Sequence, residues 1–150
     1  MADCILNISK TYFNNDLPTA VQTPETWRRY GIPIDTHSEK FLEKLNTKSQ
    51  IPLVTVGYIE GNLKIVQKNV VKPGSYILII PDIQTIQGQY WIINMFDKFR
   101  INVHNARGRM IIALNYVLSV DEVFVSKALL DLAYDHSFND AIVVIPERTP

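Results

Sequence analysis

Phe99-Arg-Ile-Asn-Val-His-Asn-Ala-Arg-Gly-Arg-Met-Ile-Ile-Ala-Leu-Asn115 is the stretch that decides the fold. It closes on Met110 to Leu114, a short and wholly apolar run. Ala141-Ile-Val-Val-Ile-Pro146 is a second such run, and a helix-like segment lies between the two. Runs that are apolar on both faces belong to strands covered on both sides. Two of them joined through a helix make a βαβ unit, the building block of a parallel sheet. The second run reads as an interior strand. Such a strand four residues before Pro150 is what a piece of a longer chain would show.

Working outward, Tyr76 to Ile80 is another buried-type strand, stopped by Pro81 and Asp82. Between it and Met110, the residues Ile86, Tyr90, Ile93 and Phe96 recur at helical spacing, with Gly88 weakening the start. Ser119-Val-Asp-Glu122 has the form of a capping box, and Val120, Phe124, Ala128 and Leu132 make one stripe behind it. Asp135 to Asp140 is a polar connection into the last strand. Upstream, Leu53 to Ile59, the turn Glu60-Gly-Asn62 and Leu63 to Gln67 read as a hairpin, and Lys72-Pro-Gly74 is a turn. Thr36-His-Ser-Glu39 is a capping box for a helix carrying Phe41, Leu42 and Leu45. Asp3 is placed to cap a first helix with Ile5, Ile8 and Tyr12 on one face, ended by Asn14-Asn-Asp16, and Pro18 to Gln22 is a short strand. With right-handed crossovers laying helices on both faces, this order predicts a single α/β domain over residues 1–150. It has three layers, is Rossmann-like, and carries a mostly parallel sheet with one β-hairpin.

A chain of 150 residues with 47% hydrophobic residues can bury a sizeable core. Fifteen basic residues balance fifteen acidic ones, so no general field draws the chain onto nucleic acid or anionic lipid. No apolar stretch approaches the ~20 residues of a membrane span, so direct membrane insertion is not expected. The N-terminus lacks a signal-peptide pattern, which fits an intracellular protein or one whose leader has been removed. The one cysteine, Cys4, reads as a small buried residue or as half of a disulfide to a residue outside this sequence.

No three of the six glycines match G-x-G-x-x-G, and no Walker A sequence is present. In Asn105-Ala-Arg-Gly-Arg109 the lone glycine precedes a strand, the wrong order for a phosphate cradle. His37, His104 and His136 have no metal-ligand spacing and read as loop or surface residues. G-x-S-x-G is absent. No catalytic residue, cofactor or metal is therefore expected. Two segments are candidates for an interaction. One is the loop Trp27-Arg28-Arg29-Tyr30 within Thr23 to Pro33, since Trp, Tyr and Arg dominate interface energetics; it reads equally as a lid packed on its own domain. The other is the basic cluster Lys98, Arg100, His104, Arg107 and Arg109, which reads either as an anion or partner contact or, preferably, as a solvated loop and strand entry. Arg107 and Arg109 flank Gly108 in a turn and are placed to pair with a carboxylate such as Asp82, with Asp121, Glu122, Asp131, Asp135 and Asp140 as acidic counterparts. Asn7-Ile-Ser9 is an N-glycosylation sequon. The carboxyl ends of the strands place Asp82, Asn115 and Glu147 near one edge, where sheets of this kind bind small ligands, although polar residues that merely end strands are the preferred reading of all three.

Cys4-Ile-Leu-Asn-Ile-Ser-Lys-Thr-Tyr-Phe13 and Leu17-Pro-Thr-Ala-Val-Gln-Thr-Pro24 resemble the start of the extracellular region of insect ionotropic receptors. These are the divergent chemosensory relatives of the ligand-gated ionotropic glutamate receptors. Lys72 to Ile80, Phe99 to Leu114 and Ala141 to Pro146 are similar to later segments of the same region. Where the family usually carries a proline between the asparagine and the first arginine, this chain has Ala106. The resemblance implies a periplasmic-binding-protein-like lobe on the extracellular side of the plasma membrane, or a secreted derivative. It implies a glycoprotein that is no enzyme. Such a lobe acts in ligand access or subunit assembly, with other receptor subunits or a small-molecule ligand as partner. It carries over no ligand-binding residue. The alternative is a standalone soluble α/β protein that binds a small ligand or partner.

Overall fold

The computed structural model describes residues 1–14, 16–22, 36–48, 52–59, 62–65, 72–80, 86–103, 105–115 and 121–146. In chain order they form α1 (Ala2–Tyr12), β1 (Thr19–Gln22), α2 (Thr36–Lys48), β2 (Leu53–Ile59), β3 (Asn62–Ile65), β4 (Ser75–Ile80), α3 (Ile86–Val103), β5 (Arg109–Leu114), α4 (Glu122–Asp135) and β6 (Asp140–Val144). The strands make one sheet in the order β3-β2-β1-β4-β5-β6. All are parallel except β3, which returns antiparallel along β2 as the expected hairpin. Leaving β3 aside, the five parallel strands stand in the order 2-1-3-4-5, a doubly wound arrangement that reverses direction between β1 and β4.

Alternation along the strands sorts the helices onto two faces. Arg109, level with Ser75, reaches the carbonyl of Tyr12 on α1, whereas Tyr76, one position on, packs its ring near Phe99 of α3. Lys44 of α2 binds Asp3 of α1. His136, just past α4, lies against Phe96 of α3. The layers are therefore α1 and α2, the sheet, then α3 and α4. Central β4 has helices on both sides and buries all six of its residues, the burial that its continuous apolar sequence anticipates.

Several sequence expectations need correction. On α3 the core-facing residues are Trp91, Ile92, Met95, Phe96 and Phe99, while Tyr90 and Ile93 are exposed. Apolar spacing fits two neighbouring faces of this helix, and the face with the bulkiest side chains takes the core. Each such burial contributes about 1.5–3 kcal/mol, enough to hold a helix with a glycine in its first turn. On α4 the buried stripe is Val125, Leu129 and Ala133; Phe124 and Ala128 are exposed and Leu132 is half-buried. The helix is apolar on two sides, and small Ala133 lets the other side approach the sheet. Its cap is Asp121, whose carboxylate accepts from the Val123 N–H at 2.9 Å, rather than Ser119, which lies outside the described residues. Helix α1 begins at Ala2 with Met1 as an uncapped N-cap; Asp3 sits in its first turn. Strand β6 is outermost in the sheet, not interior. Its apolar residues are half-buried and pack against the core, so a wholly apolar run did not require two strand neighbours.

Candidate functional site

The place where strand order reverses is the natural ligand crevice of a doubly wound sheet, just outside the carboxyl ends of the strands. Here β1 and β4 stay in register only from Thr19 with Ser75 to Val21 with Ile77. At the next position the Gln22 side chain spans the gap, its Nε2 donating to the Ile79 carbonyl at 2.7 Å. Gln22 is 1% exposed, and its Oε1 accepts no hydrogen bond from any described residue. A buried amide oxygen without a partner is costly, and it can be relieved by a donor N–H or O–H. Half-buried Asn115 follows β5 on the same edge, its N–H donating to the Ile80 carbonyl at 3.0 Å. Asp82 and Glu147, expected on this edge, lie outside the described residues, as does the whole Trp27-Arg28-Arg29-Tyr30 loop.

The opposite, amino-terminal edge holds the arginines. Asn105 organises the turn ahead of β5. Its carbonyl accepts from the Gly108 N–H at 2.8 Å, its Oδ1 from the Arg107 N–H at 3.1 Å, and its Nδ2 donates to the Pro73 carbonyl at 2.9 Å. Its own N–H donates to the Tyr76 hydroxyl at 2.7 Å. Burial pushes that hydroxyl's pKa up to about 12, against the opposing effect of this hydrogen bond. Arg109 Nε lies 3.1 Å from Asp140 Oδ2, the guanidinium stands 5.3 Å from the centre of the Tyr12 ring, and the Tyr12 hydroxyl donates to Asp140. Burial, and then the Asp140 bond, raise the Tyr12 pKa far above its usual value. The carboxylate paired with Arg109 is Asp140, one of the expected acidic counterparts; Asp82 lies outside the described residues. Both side chains are about half exposed, so the ion pair is worth at most about 1 kcal/mol. The group acts as a clasp between α1, β5 and β6.

Among the described residues the basic cluster does not converge. Arg100 pairs with Asp97 at 3.4 Å, and Arg107 is exposed without an ion-pair partner among the described residues. His104 lies outside those residues. His136 lies in the turn after α4, the loop position expected of it, with its side chain largely buried: its Nδ1 lies 2.8 Å from the Leu132 carbonyl and its Nε2 3.3 Å from Asp97. Cys4 is exposed and free, not buried, while Asn7 is exposed on the outer side of α1. Ser9 of the sequon is buried, its hydroxyl donating to the Leu6 carbonyl. Among the described residues no group of three or more His, Cys, Asp or Glu could hold a metal ion, and no helix is long and apolar enough to cross a membrane. Gln22 escaped the sequence reading. Its signal is a long polar side chain at the end of a strand that is otherwise buried. No family model, curated protein or solved structure matches this chain.

Proposed function

We propose that this chain is a non-catalytic extracellular lobe of an ionotropic-receptor-like protein, contributing to subunit assembly or ligand access. The observation that carries the reading is the sheet itself. Five parallel strands in the order 2-1-3-4-5, with a hairpin on one edge and helices on both faces, are the kind of lobe that the resemblance of the sequence implies. The exposure of Asn7 supports it, because a glycan there leaves the buried face of α1, Ile5 and Leu6, undisturbed. Secretion of the chain from insect cells behind a heterologous leader tests it. The expected product loses mass on treatment with an N-glycosidase, and Asn7→Gln removes that loss. A secreted product of unchanged mass counts against the extracellular reading.

Gln22 favours a second reading, a standalone small-ligand-binding protein. Its unpartnered Oε1 at the reversal of strand order suits a ligand that donates an N–H or O–H. A thermal-shift screen of amines, amides and polyols tests it, because a specific ligand raises apparent stability by mass action. A screen without stabilisation sets it aside.

A further inference from the structure

Apart from Met1, the exposed large apolar side chains among the residues whose burial is described lie on one helix layer. Tyr90, Ile93 and Ile101 are on α3, and Val123, Phe124, Leu130 and Tyr134 on α4. The other layer is polar outside, with Asp3, Asn7 and Lys10 on α1 and Glu39, Glu43 and Lys48 on α2. Exposed apolar surface gathered on one face marks an interaction site. On α4 the pattern is sharper still. Val123, Lys127, Leu130 and Tyr134 follow one another at intervals of four, three and four, the seam of a packed helix pair. This seam stands beside the stripe that α4 turns to the sheet. Its ends, Val123 and Tyr134, are 76% and 70% exposed.

We propose that a second copy of this chain docks on this layer across a two-fold axis, with α4 running antiparallel to its counterpart. The charge pattern selects this occupant. The register that stacks Val123 on Tyr134 of the second copy also lays the Lys127 stem on Leu130 of that copy. The Lys127 ammonium then reaches Asp131, the next residue along. Lys127 and Asp131 are both exposed, and neither belongs to an ion pair among the described residues. Two-fold symmetry makes each of these pairings twice, so one face supplies both the cation and the anion that it must meet. Acidic Glu122 and Asp135 stand off this seam. The formal net charge is zero, so two copies approach without general repulsion. The inference names the partner for the assembly role proposed above and rests on that reading.

Sedimentation velocity of the whole secreted chain across the micromolar range tests it, on wild type, Lys127→Asp, Asp131→Lys and the double exchange. The expected result is a wild-type dimer and about tenfold weaker association in each single variant, where like charges face each other. The double exchange restores the dimer. Thermal unfolding of each variant, expected to match wild type at these exposed positions, separates lost association from lost folding. A wild-type chain that stays monomeric overturns the inference, as does a dimer that the single reversals leave unchanged. A monomer glycosylated at Asn7 removes this inference alone, whereas an unglycosylated dimer removes the extracellular reading and leaves the docking surface standing.

Discussion

A β-carbon placed on Gly108 would run into the ring of Tyr76, which is wholly buried and has nowhere to move. The turn that carries Gly108 is also fastened at Asn105, whose N–H donates to the same tyrosine's hydroxyl. Gly108→Ala is therefore expected to destabilise the fold by about 1–3 kcal/mol, the usual cost of overpacking a filled core. Its urea midpoint should fall accordingly while far-UV dichroism stays native. Gly108→Ala at wild-type stability would mean that the close approach is relieved without cost. Arg-Gly-Arg was legible in the sequence as a turn. The reason for the glycine was not, because the ring that excludes a side chain comes from a different strand. Gln22 was hidden in the same way: its role depends on where β1 and β4 part company, which no local pattern records.

Strand identities were legible because a two-sided apolar run has few alternatives. The helix face was legible on α2, whose Phe41, Leu42 and Leu45 are all buried, but not on α3 and α4. Both α3 and α4 are apolar around more of their circumference than the sheet can cover, so spacing alone offered two registers; the structure turns the neighbouring one to the sheet, keeping Phe96 of the stripe expected on α3. What α3 and the strand β4 share is Tyr76, packed against Phe99 with its hydroxyl bonded to the turn before β5. Burial raises its pKa from 10 to about 12. Because the protonated phenol is the form the fold prefers, its contribution is whole below pH 10. It is lost as pH climbs from 10 toward 12, where the unfolded chain ionises first. Tyr12, also shifted upward, acts in the same direction. Urea midpoints should hold steady to about pH 9 and then fall between pH 10 and 12. Tyr76→Phe should flatten part of that fall and lower the midpoint at neutral pH, because the Asn105 N–H loses its acceptor. A midpoint unchanged up to pH 12 would contradict the assignment.

At the scale of the whole molecule, the doubly wound sheet leaves two different edges. One is the antiparallel hairpin strand β3. The other is β6, whose outer side pairs with no strand among the described residues. Ala141 to Ile145 carries no charge, proline or glycine, the devices that ordinarily keep a bare edge from pairing with another chain. The chain also has no net charge to oppose association, with a pI near 6.8. Two consequences follow from these facts together. Aggregation on mild heating should be fastest near pH 7 and slow toward pH 5 and pH 9 as net charge grows, followed by light scattering at fixed concentration. Val143→Lys, in the middle of β6, should slow it several-fold at pH 7 even though it costs some stability. The lysine stem can lie along the half-buried strand while its ammonium reaches water and repels a second edge. If Val143→Lys instead aggregates faster in proportion to its lost stability, unfolded chains rather than the β6 edge are the species that associate.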